Sequence, residues 1–274
     1  MGGMNSEAEV VENALVAVIE PTGERLVKST ERVRDLGEVF TPAATVREML
    51  DMLPPEMWAV HPSPTFLEPA CGDGNFLVAI LERKLKQVAS HHQSAKLMAG
   101  KTADAAQFHA LEALASIYAI DISVDNVVGG TPGHEIGART RLLDDFVKWN
   151  IEVLQKHLTE RSPVLLAAKW IVEHNLIVGN MLPLNAEGKP TGRNNIPLIE
   201  YRFEPLTQKI VIAKTTLGDV IDASIAETSN ELTHFGPLGP TFLWEGKALK
   251  LAEAERVVAP RLKGPVRNGV RRNK

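Results

Sequence analysis

The sequence predicts an α/β protein with a doubly wound, mostly parallel sheet and helices between successive strands. Short apolar runs at residues 65–68, 116–121 and 175–179 each end at or beside an acidic or amide side chain. Segments with apolar residues at helical spacing separate these runs, and strands that alternate with helices are typical of a parallel sheet. The first run turns through two glycines into a helix, which is how an open α/β sheet forms a ligand crevice.

The segment before the first strand is predicted to be a loop that leads into a helix. Thr41 is the predicted N-cap and Pro42 the first helical residue. A hydroxyl can accept a hydrogen bond from an unpaired helical N–H, and proline lacks the N–H that would be unpaired at that position. Apolar residues then recur at helical spacing until Pro54-Pro55 ends the pattern.

The glycine turn is the most informative stretch, because residues 65–77 read Thr-Phe-Leu-Glu-Pro-Ala-Cys-Gly-Asp-Gly-Asn-Phe-Leu. Gly72 and Gly74 let the backbone come close to a ligand, and the helix from Asn75 directs free N–H groups toward it. Glu68, at the carboxyl end of the strand, can hold ammonium or hydroxyl groups. The pattern predicts a site for a nucleoside-bearing cofactor; a phosphate-binding or purely structural turn is the alternative.

The second predicted strand ends at Asp121, the position where a doubly wound fold hydrogen-bonds a ribose. The helix from Asn75 is predicted to run to about residue 87, and residues 88–115 show only helical patches. A third strand leads to Asn180. Between the second and third strands the sequence predicts a loop and two helices, at 129–139, 141–158 and 164–172.

Residues 65–77 resemble motif I of class I S-adenosylmethionine-dependent methyltransferases. The match is to the Asp/Glu-Pro-Ala-Cys-Gly-x-Gly-x-Phe-Leu form found in N6-adenine DNA methyltransferases of restriction–modification systems. Residues 37–42, Gly-Glu-Val-Phe-Thr-Pro, resemble motif X of the same family, and two motifs in order are more specific than one. The resemblance covers about residues 35–182. It implies a Rossmann-like fold and S-adenosyl-L-methionine as the cofactor.

The resemblance also implies which residues contact that cofactor. Thr41 and Pro42 would close over its methionine end, Asp121 would bind the ribose, and Asn180 would bind the adenine amino group. Ile122, which follows Asp121, and Met181, which follows Asn180, would contact the adenine ring. The full set is Thr41, Pro42, Glu68, Ala70, Cys71, Gly72, Gly74, Asn75, Phe76, Asp121, Ile122, Asn180 and Met181.

The catalytic motif of the family, Asp/Asn/Ser-Pro-Pro-Tyr/Phe, has no full counterpart in this sequence. In that motif a side-chain oxygen and the following backbone carbonyl accept hydrogen bonds from the target amino group, while the aromatic ring stacks on the flipped base. The nearest candidate is Asn195-Ile196-Pro197-Leu198, with Asn195 and Pro197 as the catalytic residues. Leu198 replaces the aromatic residue, and the preceding residues 188–194 are turn-like.

The rest of the chain departs from the family pattern. Residues 198–204 and 209–214 predict an antiparallel hairpin, and helices are predicted to start near Thr216 and to cover 248–258. No segment of the size of a target-recognition domain remains. The predicted organisation is an N-terminal arm, a methyltransferase-like domain and a basic tail, at 1–34, 35–259 and 260–274.

Composition and charge indicate which kinds of site and which compartment to expect. The net charge is −4, yet residues 260–274 carry six basic residues and no acid, so this tail can contact phosphates or serve as a solubilising end. Cys71 is the single cysteine and the eight histidines are scattered apart from His91-His92, so neither a disulfide nor a metal site is expected. No apolar run has membrane-spanning length and the start lacks a signal-peptide layout, so we expect a cytoplasmic protein without membrane contact.

Three hypotheses follow. The first is an active adenine-specific DNA methyltransferase, with DNA as a partner and a further subunit that supplies specificity. The second is a catalytically silent, cofactor-binding subunit of a modification or phage-defence complex. The third is a methyltransferase that acts on RNA or on a protein amide. Complete cofactor motifs beside an incomplete catalytic motif are compatible with the first two, because a fold alone does not decide activity.

Overall fold

The structure is a computed structural model that describes residues 33–34, 39–95, 102–130, 136–225, 241–245, 248–251 and 254. The chain divides into two compact units, of which the first ends at Ile196 and the second begins at Pro197. The sequence predicts a single domain over residues 35–259, and the division falls inside that range. The basic tail and all of the N-terminal arm except residues 33–34 lie outside the described residues.

The first unit alternates strands with helices. Short 3₁₀ helices cover Pro55–Trp58 and Arg193–Asn195. In chain order the main elements are α1 (Ala43–Asp51), β1 (Phe66–Glu68), α2 (Asn75–Ala95), α3 (Thr102–Ala115), β2 (Ile117–Asp121), α4 (Val124–Val127), α5 (Ala138–Leu154), α6 (Pro163–Asn175) and β3 (Leu176–Val178).

The three strands of this unit form a parallel sheet in the order β1-β2-β3. Each strand lies within one residue, at either end, of the range that the sequence predicts. Glu68 pairs with Ala119 and Asp121 pairs with Val178, so the strands end at the same edge of the sheet. The predicted α/β class is therefore confirmed.

The core of this unit lies between the sheet and the helices that pack on it. Leu77, Leu81 and Val88 are buried on one face of α2, a spacing that a helix of 3.6 residues per turn places on one side. Helix α2 packs against α3 and α5, and α2, α3 and α6 all contact β2. Ile117 and Ile120 of β2 are accordingly fully buried.

Several helix boundaries differ from the predictions. Helix α2 runs to Ala95 rather than residue 87, because its buried face continues through Val88 to His92. Helix α3 is buried at almost every position from 106 to 115, so it shows no polar face that would reveal its period. Helix α5 ends at Leu154, where Gln155 adopts a left-handed conformation with φ 54°. The N-cap of α1 is Pro42 rather than Thr41.

The second unit contains an antiparallel sheet in the order β4-β5-β6-β7. Its elements are β4 (Pro197–Glu204), β5 (Lys209–Thr216), α7 (Leu217–Ile225), β6 (Thr241–Glu245) and β7 (Ala248–Leu249).

The predicted hairpin of the second unit is confirmed, since Glu204 pairs with Lys209 across a four-residue turn. The predicted helix at the start of α7 is also confirmed. Thr216 and Asp219 bond each other reciprocally at its first turn, as in a capping box. The predicted helix at 248–258 is wrong at its start, because Ala248 pairs with Glu245 in a strand; most of the remainder lies outside the described residues.

Within the described ranges, no helix is both long enough and apolar enough to span a bilayer.

Candidate functional site

A cavity of about 590 Å³ opens where the parallel strands of the first unit end. This volume suits a small molecule or nucleoside cofactor. Four chain segments line the cavity: residues 39–41 before α1, the turn between β1 and α2, the end of β2 with the residues after it, and the residues after β3. The position corresponds to the crevice at which open α/β sheets bind ligands.

The structure brings most of the sequence-predicted cofactor residues to this cavity. Pro42 and Gly74 do not line it. Pro42 caps α1, and Gly74 supports the turn with φ 96° and a close approach to Ala138. The predicted residues that line the cavity are Thr41, Glu68, Ala70, Cys71, Gly72, Asn75, Phe76, Asp121, Ile122, Asn180 and Met181.

The glycine turn is held against the end of β2. The Gly72 amide donates a hydrogen bond of 2.9 Å to Asp121 Oδ2, and the Cys71 amide donates one of 3.2 Å to the Ile120 carbonyl. Gly72 has φ 52°, and a Cβ at this position would lie 2.9 Å from a ring carbon of Phe40. Only glycine therefore fits here without strain and without displacing Phe40.

The Asp121 carboxylate is buried, with the residue 8% exposed, and it joins two walls of the cavity. Besides the Gly72 amide, it accepts hydrogen bonds from the Ser123 amide at 2.8 Å and from Asn126 Nδ2 at 3.1 Å. An ionised carboxylate has about four acceptor sites, so these three bonds leave limited capacity for a ligand. Asp121 thus shapes the crevice as well as facing it.

The Glu68 carboxylate accepts fewer hydrogen bonds within the protein than the Asp121 carboxylate does. Its Oε1 accepts one hydrogen bond, from the Ala70 amide at 3.2 Å, and the residue is half-buried. Most of its acceptor capacity therefore remains available at the cavity. This arrangement allows Glu68 to bind the ammonium or hydroxyl groups of a ligand directly.

Arg141 is a residue that the sequence analysis placed only at the start of a helix. Its guanidinium donates to the Asp73 carbonyl and to Asn75 Oδ1, both at 2.9 Å, and lies 3.0 Å from Asp73 Oδ1. Asn75 Nδ2 in turn donates to the Thr41 carbonyl at 3.1 Å. Arg141 therefore links the glycine turn to the segment before α1. No local pattern could reveal this, because Arg141 is 66 residues from Asn75.

The charged side chains at the cavity all have the same sign. Glu68, Asp73 and Asp121 line it, and none of the described residues that line it is lysine or arginine. Arg141 pairs with Asp73 from outside the lining, so Glu68 and Asp121 are the carboxylates that attract a cationic group and disfavour a phosphate. Ile122, 57% exposed, and the neighbouring Met181 offer an apolar surface in the same crevice.

Asn180 contributes its side-chain amide. Its Oδ1 accepts a hydrogen bond of 2.9 Å from the Leu182 amide, which fixes the side chain at the rim of the sheet. A carbonyl oxygen has a second lone pair and the NH₂ group has two donors, so the amide can still bind both kinds of polar group on a ligand.

Cys71 behaves as a packing residue in this site. It is buried, and this burial, together with the nearby carboxylates of Asp121 and Glu68, raises the pKa of its thiol. The thiol is therefore protonated at neutral pH, and a protonated thiol is a poor nucleophile.

The predicted catalytic segment does not line this cavity. Asn195 is exposed in the 3₁₀ helix at the end of the first unit, and Pro197 opens β4 in the second unit, paired with Thr216. Leu198 is only 6% exposed, so it offers no surface for a stacked base. The catalytic role of Asn195 and Pro197 stays a prediction.

Three histidines that the sequence analysis treated as scattered come together elsewhere in the first unit. His91 and His92 lie near the end of α2, and His109 lies on α3; their ligand nitrogens are all within 4.8 Å of one another. Because the two helices pack together, residues 17 positions apart become neighbours. The sequence signal that could have indicated this cluster is that two consecutive helical segments both carry histidines.

Comparisons with known protein families, with curated proteins and with solved structures find no match to this chain.

Proposed function

We propose that this chain binds S-adenosyl-L-methionine in the acid-lined cavity, on a sheet of the doubly wound, Rossmann-like type, and that it functions as an adenine-specific DNA methyltransferase. The observation that carries the proposal is the convergence of Thr41, Glu68, Asp121 and Asn180 on one cavity, whose lining includes no lysine or arginine among the described residues. These residues are remote in sequence, and each occupies the position that the methyltransferase resemblance assigns to a cofactor contact.

The chemistry of the lining supports this ligand over other nucleosides. S-adenosyl-L-methionine carries a sulfonium, an ammonium, a carboxylate, two ribose hydroxyls and an adenine, so its net charge is positive. The carboxylates of Glu68 and Asp121 match the cationic and hydroxyl groups, and the apolar surface of Ile122 and Met181 matches the adenine ring. A phosphate-bearing nucleotide would meet the carboxylates of Glu68 and Asp121, whereas that of Asp73 is paired with Arg141 at 3.0 Å. The carboxylates of Glu68 and Asp121 disfavour the phosphate-binding alternative.

The test of cofactor binding is calorimetry with S-adenosyl-L-methionine, ATP and NAD. We expect binding of the first alone. Glu68→Gln keeps the shape of the side chain but removes its charge, and it should weaken binding by roughly ten- to a hundredfold, the loss of one charge-assisted hydrogen bond of about 1.5–3 kcal/mol. Glu187→Gln makes the same chemical change at an exposed position outside the lining and should leave affinity unchanged. Tighter binding of ATP, or equal affinity in both variants, would refute the proposal.

For methyl transfer, the bound cofactor supplies an electrophilic methyl group on a positively charged sulfur. The protein must then present the adenine amino group with its lone pair aimed at that carbon, and this requires a base extruded from the duplex. In this proposal the Asn195 side-chain oxygen and the following backbone carbonyl accept the hydrogen bonds of the amino group. A partner subunit supplies the aromatic surface that Leu198 lacks.

The second candidate is a catalytically silent, cofactor-binding subunit. A specific observation favours it: Asn195 is absent from the lining of the cavity, and Leu198 is buried. Transfer of tritiated methyl groups to unmethylated DNA and to RNA, with and without co-purifying proteins, separates the two candidates. Cofactor binding without transfer under all of these conditions supports the silent subunit, whereas transfer to RNA alone redirects the substrate assignment.

A further inference from the structure

The cluster of His91, His92 and His109 lies apart from the crevice. Asn75, at the crevice, and His91 are sixteen positions apart on α2, which corresponds to about 24 Å at 1.5 Å per residue. The cluster therefore plays no direct part in the proposed cofactor site. It therefore needs an explanation of its own.

The separation of the ring nitrogens suits a metal ion. His92 Nε2 lies 3.2 Å from His109 Nδ1, and the ligand nitrogens of all three rings are within 4.8 Å of one another. Two nitrogens bound tetrahedrally to Zn²⁺ at about 2.05 Å are about 3.4 Å apart. The His92–His109 pair already has nearly this spacing. His91 is exposed, so its ring can rotate to complete the set.

A hydrogen bond between His92 and His109 would explain the closeness of two rings, but it does not explain the third. The ring of His91 lies edge-on to that of His92, with centroids 5.0 Å apart, and 5.8 Å from that of His109. The three rings therefore surround a common point, which one hydrogen bond between two of them does not require.

A fourth histidine borders the cluster. The ring of His61 stacks parallel to that of His109, with centroids 5.9 Å apart, and His61 Nδ1 lies 2.8 Å from Glu112 Oε1. Glu112 is buried and is on the same helix as His109. Glu112 anchors the ring of His61, and that ring in turn restricts the orientation of His109.

We propose that His91, His92 and His109 form a binding site for a divalent transition metal ion, with Zn²⁺ as the first candidate. Imidazole nitrogens suit Zn²⁺, Co²⁺, Ni²⁺ and Cu²⁺, whereas Mg²⁺ and Ca²⁺ prefer oxygen ligands. Three histidines leave the fourth tetrahedral position to water. The ion would join the end of α2 to α3, so its binding would stabilise this helix pair.

The test uses the full chain without a histidine tag, after removal of metal with a chelator. Titration with Zn²⁺ by calorimetry and with Co²⁺ by visible absorption should show one equivalent bound, and Zn²⁺ should raise the unfolding temperature. Mg²⁺ and Ca²⁺ should do neither. Because His91 is exposed, His91→Ala should leave the fold intact while weakening Zn²⁺ binding by at least about tenfold.

His109→Gln should weaken Zn²⁺ binding to a similar or greater extent. The matched control is His157→Ala, which removes an exposed histidine outside the cluster and should not change the affinity. Non-saturable uptake of Zn²⁺ would overturn the proposal. So would an affinity that is the same in His91→Ala, His109→Gln and His157→Ala.

Discussion

Asp121 shows how one residue can hold the geometry of a cavity and also line it. Its carboxylate accepts hydrogen bonds from the turn, from the residue two positions on and from Asn126. Removal of this side chain would take away the acceptor of these three bonds and would also change the lining of the cavity. Loss of cofactor affinity in an Asp121 variant therefore mixes two causes, whereas Glu68, with one internal bond, reports on the ligand alone.

Gly72 gives a sharper test of the turn, because its conformation and its neighbour impose separate demands. We expect Gly72→Ala to cost about 1–2 kcal/mol from its positive φ and, in addition, to displace Phe40 from the cavity wall. Affinity for S-adenosyl-L-methionine should fall by roughly tenfold or more. Calorimetry and urea unfolding measure the two effects.

The matched control is Gly188→Ala. Gly188 also has a positive φ, of 73°, but a Cβ there would meet nothing within 4 Å, and the residue does not line the cavity. The Gly188→Ala protein should lose about as much stability as the Gly72→Ala protein, but it should keep the affinity of the wild type for S-adenosyl-L-methionine. If both variants bind the cofactor equally, the contact between Gly72 and Phe40 does not shape the site.

At the residue level, the sequence predicts those site residues that lie at or just after the end of a strand. Glu68, Asp121 and Asn180 are recognisable because the end of a short apolar run marks each position. Arg141 lies at the start of a predicted helix and His109 within a stretch of helical patches, where a charged or polar residue usually faces solvent. Their roles depend on which helices pack together, and that information is tertiary.

At the scale of elements, α2 carries a buried cation that its periodicity does not suggest. Lys84 is 2% exposed, and its ammonium donates to Ser63 Oγ at 2.8 Å and to the Pro64 carbonyl at 2.7 Å. These bonds fix the segment that leads into β1. Burial lowers the pKa of Lys84 to about 8 from 10.5.

This shift predicts a pH dependence of stability. Between pH 8 and 10.5 the folded state has released the Lys84 proton while the unfolded state still holds it. The unfolded state then binds more protons, so the contribution of Lys84 to the free energy of unfolding rises with pH, by up to about 3 kcal/mol over this window. Below pH 8 both states are protonated and the contribution is constant.

Urea unfolding of the wild type and of Lys84→Met at pH 7.5 and pH 10 measures this effect. The stability of the wild type relative to Lys84→Met should increase at the higher pH. Lys86→Met removes an exposed ammonium from the same helix and should show little pH dependence relative to the wild type. A constant difference between the wild type and Lys84→Met would show that Lys84 keeps its charge in the folded state.

Helices and strands are predicted accurately from the sequence when their buried and exposed positions, or their ends, differ clearly in polarity. The three parallel strands are short apolar runs bounded by turns, so their limits are visible in the sequence. Helix α3 is buried on nearly all sides, so its sequence shows no apolar stripe against a polar face. Strand β7 was mistaken for a helix because Ala248 and Leu249 have good helix propensity, and only pairing with β6 makes them a strand.

At the scale of the whole molecule, the boundary between Ile196 and Pro197 matters most for function. A parallel sheet with the acid-lined cavity at its edge comes before it, and an antiparallel sheet follows. The predicted catalytic tetrapeptide spans this boundary. The sequence does not show the division, because the turn-like residues 188–194 lead directly into the predicted strand at 198–204.

The deciding prediction concerns Asn195. If the chain methylates adenine through this segment, Asn195→Ala should lower methyl transfer to DNA by at least about a hundredfold, because two hydrogen bonds that orient the amino group depend on this position. Affinity for S-adenosyl-L-methionine should be unchanged, since Asn195 is outside the cavity lining. Asn194→Ala, at the adjacent exposed position of the same 3₁₀ helix, should keep full activity. Equal transfer rates in the two variants would remove Asn195 from the reaction. If the wild type transfers no methyl group to DNA or RNA, even with its co-purifying proteins, the acid-lined cavity serves cofactor binding alone.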